Sequence, residues 1–190
     1  ALDRRQRQMC IRDRFMPIDT SLDFVPINIA VITISDSRTK ENDTSGDTLE
    51  KRITDAGHTM IKRTIIPDDV TQIKDTLNTM SKEKEIDCII TTGGTGLTGR
   101  DTTPEAVNAI ASKHIDGFGE LFRQVSFEKI GTSAIQSRAV AALINSTYVF
   151  CLPGSTGACK DGWDEILQYQ LDIRHKPCNF VEIMPRLNEK

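Results

Sequence analysis

The stretch of sequence that decides the fold is Ile89-Ile90-Thr91-Thr92-Gly93-Gly94-Thr95-Gly96. Its apolar first half predicts a buried strand from Ile86 to Thr92, and its second half interrupts that strand with glycines. Glycines at this place let backbone N–H groups approach an anion without interference from a Cβ atom. We therefore expect a loop that binds a phosphate or a carboxylate, although a tight turn uses the same residues.

Strands and helices alternate on both sides of this stretch. Strands are predicted at Ile27 to Ile34 and at Met60 to Ile66. A first helix is predicted between the N-cap candidates Asp43-Thr44-Ser45 and a stop at Gly57. A second is indicated by the apolar stripe of Val70, Ile73, Leu77 and Met80. A third should start at Thr103-Pro104-Glu105, with Thr103 as the cap. This alternation predicts a parallel sheet whose ligands bind beyond the carboxyl ends of the strands.

The pattern changes after residue 115. A helix is predicted at Phe118 to Phe127, followed by two strands, Val140 to Ile144 and Tyr148 to Leu152, which flank a hairpin turn at Asn145-Ser146. The chain then continues with a helix through Trp163 and an extended tail from Pro177 to Pro185. We therefore expect an α/β fold, a three-layer αβα sandwich with a mostly parallel, doubly wound sheet and an antiparallel edge hairpin.

Composition excludes several classes of protein. The 190 residues are 38% hydrophobic and 27% charged, which is ordinary globular usage, and no apolar run reaches the length of a membrane span. The formal charge is −3, yet residues 1–15 hold five arginines and two aspartates, so the remaining chain carries −6. An acidic body argues against nucleic acid as a partner, and we expect no membrane partner either.

Residues 1–15 lack the apolar core of a secretory signal. We expect them to be a non-native or disordered extension that precedes a start at Met16, which leaves residues 16–190 as a single domain. Five cysteines without a CxxC pair predict reduced thiols and a cytoplasmic location. Three scattered histidines, without HExxH or a clustered Cys/His spacing, argue against a zinc site.

Hydroxyl groups and an acid surround the glycine stretch. The hydroxyls of Thr91, Thr92, Thr95 and Thr98 could donate to phosphate oxygens, and Asp101 lies close by in the sequence. A carboxylate beside a phosphate repels it unless a cation lies between them, so we expect magnesium, held by Asp101 with Asp68 or Asp69. The alternative for Asp101 is a charge or cap at a helix N-terminus.

Two further loops carry small hydroxylated residues at strand ends. They are Ser35-Asp36-Ser37 after the first strand and Leu152-Pro153-Gly154-Ser155-Thr156-Gly157 after the last. Both should open toward the same sheet edge, where Ser35, Asp36, Pro153, Gly154 and Ser155 could contact phosphate or ribose. Ordinary turns use the same residues, so the coincidence at strand ends is what favours a site.

Other nucleotide and catalytic motifs fit poorly. Gly94, Gly96 and Gly99 satisfy GxGxxG, but they follow the third strand and no acid ends a strand about 20 residues later, which disfavours a nicotinamide-dependent oxidoreductase. The sequence has no GK[ST] of a Walker A loop and no GxSxG of a hydrolase nucleophile elbow.

The sequence resembles the molybdopterin-binding proteins of molybdenum cofactor synthesis, namely molybdenum cofactor biosynthesis protein B and the related adenylyltransferases. The matching stretches cover residues 27–185: Ile32 to Asp36, Asp43 to Gly46, Thr91 to Thr98, Arg100-Asp101, Thr103 to Ala106, Asp116 to Phe122, Ile130 to Ser133, Gln136 to Arg138 and Leu152 to Ala158. The tail from Lys176 to Phe180 resembles the protein B branch.

The resemblance implies a homotrimer or homohexamer in which the phosphate of molybdopterin attacks the α-phosphate of ATP in the presence of magnesium. It implies that Asp68 and Asp101 are catalytic and metal-associated, and that Gly93 to Gly96 form the anion cradle. It also implies that the pterin end is lined by Ser133, Ser137, Arg138, Gly154 and Ser155. Positioning and charge neutralisation are what such a transfer requires.

One departure from the family pattern bears on activity. The last loop reads Pro153-Gly154-Ser155-Thr156, whereas the adenylyltransferase branch usually has a second proline after the glycine. A non-catalytic molybdopterin carrier or assembly partner in the same pathway is therefore the alternative function.

Overall fold

A computed structural model describes residues 18–189. The expectations for residues 1–15, for Cys10 and for a start at Met16 lie outside the described residues. None of the helices within 18–189 is long and apolar enough to span a bilayer.

The centre of the molecule is a six-stranded sheet. Its strands are β1 Asn28–Ile34, β2 Thr59–Ile66, β3 Cys88–Thr92, β4 Lys113–His114, β5 Val140–Ile144 and β6 Thr147–Leu152. Their order in the sheet is β2-β1-β3-β6-β5-β4. β1, β2, β3 and β6 are parallel, whereas β5 runs antiparallel to β6 and β4 antiparallel to β5. The predicted fold class, with its antiparallel edge hairpin, is confirmed.

Helices follow most strands and cover both faces of the sheet. The α-helices are α1 Thr44–Asp55, α2 Val70–Met80, α3 Thr103–Ile110, α4 Asp116–Ile130, α5 Thr156–Gly162, α6 Gln168–Gln170 and α7 Phe180–Ile183. A π-helical turn, Trp163–Leu167, joins α5 to α6, and 3-10 turns lie at Gly131–Gln136 and Met184–Arg186.

The strands bury both of their faces, which explains their continuous apolar runs. Alternate residues of β1 belong to two separate cores: Ile29 and Val31 face one, and Ala30 and Ile32 face the other. α1, α4 and the π-helical turn cover the first core, and α2 and α3 cover the second. Three layers result.

The hairpin turn forms where the sequence predicts it. Asn145 and Ser146 both have positive φ angles, 47° and 69°, the conformation that a two-residue hairpin loop requires.

Two details of the helix predictions are wrong. Thr103 is the first residue of α3 rather than its cap, because its hydroxyl donates to the carbonyl of Gly93 at 3.0 Å. The tail is helical from Phe180 onward rather than extended, because the side chain of Asn179 caps α7 by accepting from the N–H of Glu182.

Candidate functional site

A cavity of about 740 Å³ opens at the carboxyl ends of β1, β2, β3 and β6. Loops that are distant in sequence meet there, as the parallel topology requires. The predicted residues that line it are Ser35, Asp36, Asp68, Gly93, Gly94, Thr95, Gly96, Asp101, Ser137, Pro153, Gly154 and Ser155. The expectation that the loops after the first and last strands open toward one edge is therefore confirmed.

The glycine loop is shaped by close packing as well as by its place at the cavity. Gly93 and Gly94 have φ angles of +109° and +65°, and a Cβ atom on Gly93 would lie 2.1 Å from the carbonyl oxygen of Ile34. The N–H of Gly93 donates to the carbonyl of Leu152 at 3.0 Å. The N–H of Gly96 interacts with the carboxylate of Asp101, so the N–H groups of Gly94 and Thr95 are the candidate donors to an anion.

Asp68 is a buried carboxylate with weak partners. Only 8% of the residue is exposed, and its Oδ1 accepts from the N–H and hydroxyl of Thr102 at long distances, 3.4 and 3.5 Å. Burial raises the pKa of Asp68, and the nearby charges of Asp101 and Asp36 raise it further. A carboxylate in this state gains from a cation placed beside it.

Asp101 also lines the cavity and is held in the ionised state. Its Oδ2 accepts from the hydroxyl of Thr98 at 2.6 Å and from the Thr98 N–H at 2.9 Å. The hydrogen bond from the Thr98 hydroxyl lowers the pKa of Asp101. A Cβ atom on Gly96 would lie 2.7 Å from the same carboxylate, so the glycine leaves room for it.

The two carboxylates fit a magnesium ion that takes its other ligands from a phosphate. Residues 18–189 hold no group of three or more His, Cys, Asp and Glu side chains placed to bind a metal by themselves. Magnesium commonly uses one or two carboxylates and completes its shell with substrate phosphates and water. Asp69, the alternative partner, instead caps α2 by accepting from the N–H of Gln72.

Three predicted residues lie outside the cavity wall. Thr92 is buried, and its hydroxyl donates to the carbonyl of Pro153 at 3.1 Å. Ser133 is exposed on the 3-10 turn. The guanidinium of Arg138 donates to the carbonyls of Gly96 and Asp101, both at 2.7 Å, and pairs with Glu105, so it supports the glycine loop from behind.

The other threonine hydroxyls have different surroundings as well. Thr91 is fully buried beside the thiol of Cys151, and the Thr98 hydroxyl is bonded to Asp101. Of the four threonines expected to face a phosphate, Thr95 alone is part of the cavity wall.

Sequence reasoning missed the second wall of the cavity. Phe122, Ser126 and Ile130 line it from α4, and Ala158 and Asp161 line it from α5. The α4 residues are spaced by four and so share one helix face, which is a signal that the sequence contains. The sequence pattern does not indicate that α4 packs against the cavity.

The raised pKa of Asp68 leads to a prediction about stability. A carboxyl group whose pKa is raised by folding stabilises the fold below its unfolded-state pKa, and that stability is lost as pH rises through the folded-state value. Without a divalent cation, Asp68→Asn should therefore melt a few degrees above the unmodified chain at pH 8, and the difference should shrink toward pH 3.5. Thermal denaturation in EDTA at several pH values measures it; a melting temperature for Asp68→Asn below that of the unmodified chain at pH 8 contradicts it.

Comparison with known proteins agrees with this architecture. The sequence profile of a family described as a probable molybdopterin binding domain matches residues 30–173. Molybdenum cofactor biosynthesis protein B of Escherichia coli K12 is 42% identical over 160 residues, which are 84% of this chain and 94% of that protein. The chain belongs to the molybdenum cofactor biosynthesis protein B family.

Other proteins are similar to this chain in sequence or in structure. The protein B of Bacillus anthracis is 41% identical over 76% of this chain and 86% of its own length. A crystal structure of a molybdenum cofactor biosynthesis protein B has a TM-score of 0.80 at 35% identity, covering 89% of this chain and all of that one. The tungsten cofactor synthesizing protein MoaB of Pyrococcus furiosus has a TM-score of 0.68 at 34% identity, with 75% and 91% coverage. The predicted family resemblance is confirmed.

Proposed function

We propose that this chain acts in molybdenum cofactor biosynthesis, where it binds molybdopterin and catalyses its adenylylation with ATP and magnesium. The observation that supports the proposal most directly is the meeting of Asp68 and Asp101 beside the glycine loop in one cavity. Its volume of about 740 Å³ lies within the range of pockets that bury small ligands.

In the proposed reaction, a phosphate oxygen of molybdopterin forms a bond to the α-phosphorus of ATP. The bond from that phosphorus to the oxygen bridging to the β-phosphate breaks, and pyrophosphate leaves with the electron pair. Asp68 and Asp101 would hold a magnesium ion, which supplies charge neutralisation for the phosphates.

The chain's own groups would supply positioning. The N–H groups of Gly94 and Thr95 are the candidate donors to phosphate oxygens, as in other anion-binding loops. Ser155 caps α5 by accepting from the N–H of Ala158 at 3.2 Å, which directs the start of that helix toward the cavity. Apolar side chains from α4 would exclude water from the pterin end.

A non-catalytic carrier is the second candidate, and the last loop favours it. Ser155 serves as the helix cap and Thr156 begins α5, in the place where the adenylyltransferase branch usually has proline. A loop built in this way could bind the pterin phosphate without orienting it for attack.

Incubation with molybdopterin, ATP and magnesium separates the two functions. Formation of adenylylated pterin with release of pyrophosphate, measured by chromatography, supports the enzyme. Tight molybdopterin binding without either product supports the carrier, and the absence of molybdopterin binding contradicts both.

We also propose that the chain self-associates as a homotrimer or homohexamer. Within residues 18–189, the most exposed large apolar side chains have exposures of 58% to 84%, and exposed apolar groups of this kind often mark protein contacts. They are Leu97, Phe127, Ile130 and Ile135. They belong to the glycine loop, to the end of α4 and to the 3-10 turn that follows it, so a contact there would adjoin the cavity.

Substitution of Ile135, which is 84% exposed, tests this contact. Ile135→Lys should shift the chain to a smaller species in light scattering coupled to gel filtration, because a buried ammonium group is costly at an apolar interface. Ile61→Lys, on β2 and 38% exposed, is the control that should leave the mass unchanged. A monomeric unmodified chain would refute the proposal.

A cytoplasmic location is the last part of the proposal. Cys88, Cys151 and Cys159 are buried free thiols, and Cys178 is an exposed one. Free thiols are the usual state of cysteine in a reducing compartment, which supports this placement.

A further inference from the structure

Three loops of the cavity are joined by one exposed ion pair that the proposed reaction does not use. Arg100, in the loop after β3, donates to both carboxylate oxygens of Asp36, in the loop after β1, at 2.9 and 2.8 Å. The same Asp36 accepts from the backbone N–H of Asp68, in the loop after β2, at 3.1 Å. One carboxylate thus links the loops that follow three of the four parallel strands, β1, β2 and β3.

This ion pair is poorly suited to stabilising the fold. The side chains of Arg100 and Asp36 are 64% and 45% exposed, and exposed pairs contribute little to stability. A second bidentate pair, Arg186 with Glu189, is equally exposed and lies at the far end of the chain. The two pairs are alike in geometry, and only the first lies at the cavity.

Its position suggests an electrostatic role. Asp36, Asp68, Asp101 and Asp161 all line the cavity. The ammonium of Lys129 already pairs with Asp161, so three further carboxylates would face a phosphate ligand. The guanidinium of Arg100 cancels the charge of one of them, and its charge also acts on Asp68. The cavity then presents two uncompensated carboxylates, the charge that one divalent cation balances.

We infer that Arg100 is a positioning residue that neutralises Asp36 and holds it against the N–H of Asp68. The cavity can then accept a nucleoside triphosphate together with its divalent cation. This inference rests on the proposed function, because it assigns the same cavity to ATP. It differs from direct phosphate binding by Arg100, since here the guanidinium acts through Asp36.

A double substitution distinguishes these roles. Arg100→Ala leaves Asp36 uncompensated, and ATP binding in saturating magnesium, without molybdopterin, should weaken about tenfold in calorimetric titration. Adding Asp36→Asn removes that charge and keeps an amide oxygen to accept from Asp68, so the double variant should return to within about threefold of the unmodified chain. Arg100→Lys, which keeps the charge, should also stay within about threefold.

Arg186→Ala is the matched control, because it breaks an equally exposed bidentate pair away from the cavity; its ATP affinity should not change. A double variant as weak as Arg100→Ala would overturn the inference in favour of direct phosphate binding. An Arg100→Ala variant that binds like Arg186→Ala, or an unmodified chain that binds no ATP, would overturn it as well. These titrations contain no pterin, so they test the inference separately from the adenylylation assay. If the titrations give the expected pattern but the separate assay yields no adenylylated product, the proposed enzyme is contradicted and the inference stands.

Discussion

Asp101→Asn is expected to lower the rate of adenylyl transfer by about 100-fold to 1000-fold, the usual cost of removing one electrostatic group from a transition state. The carboxylate is ionised and fixed by two hydrogen bonds from Thr98, so its charge is already in place before a ligand binds. Asparagine keeps the shape and loses that charge. Pyrophosphate release, measured at saturating ATP and magnesium, is the test.

The controls for Asp101→Asn separate loss of function from loss of fold. Asp75→Asn, an exposed aspartate on α2 that lies outside the cavity wall, should keep the full rate. Asp68→Asn should lose turnover like Asp101→Asn while it gains stability at neutral pH, as argued above. A rate for Asp101→Asn within threefold of the unmodified chain would exclude a catalytic role for this carboxylate.

Gly93→Ala is expected to destabilise the fold by about 3 kcal/mol, the sum of backbone strain at a positive φ and a forced shift of neighbouring backbone. The new Cβ would lie 2.1 Å from the carbonyl oxygen of Ile34, at a φ of +109°, and Ile34 is the last residue of the buried strand β1. For a chain of this length the melting temperature should fall by about 6–12 °C. Urea and thermal denaturation measure the effect.

Gly99→Ala provides the comparison within the same loop. A Cβ atom there has no neighbour within 4 Å, and the backbone does not adopt a positive φ. Its stability should stay within about 0.5 kcal/mol of the unmodified chain. Equal losses for the two variants would show that the whole loop, rather than the contact at Gly93, is sensitive to substitution.

Much of the fold could be predicted from the sequence because local and periodic signals agreed. The apolar runs of β1 and β3, the caps of α1 and the Asn145-Ser146 turn are each short-range signals, and tertiary packing did not override them. The tail was mispredicted because the decisive group, the side chain of Asn179, acts as a cap only when the chain turns back near Phe180.

The site was predicted less completely than the fold, for a physical reason. Loops at strand ends can be located from topology, which is how Asp68, Asp101 and Ser155 were predicted to lie at the edge where the cavity opens. Which hydroxyl faces the cavity depends on strand register and on neighbours distant in sequence, so Thr92 could not be distinguished from Thr95. The α4 wall and the bond of Arg138 to the Gly96 carbonyl depend on helix placement, which spacing alone does not give.

The contact between the first glycine of the loop and the loop after β6 has one more consequence. A Cβ atom on Gly154 would lie 3.3 Å from the Cα of Gly93, so the two backbones leave no space in which either could hinge. The backbone at the floor of the cavity is therefore rigid, and the backbones of the free and the ligand-bound protein should superpose closely there. Any rearrangement that admits a ligand must come from the opposite side, where the side chains of Phe122 and Ile130 rather than backbone form the boundary.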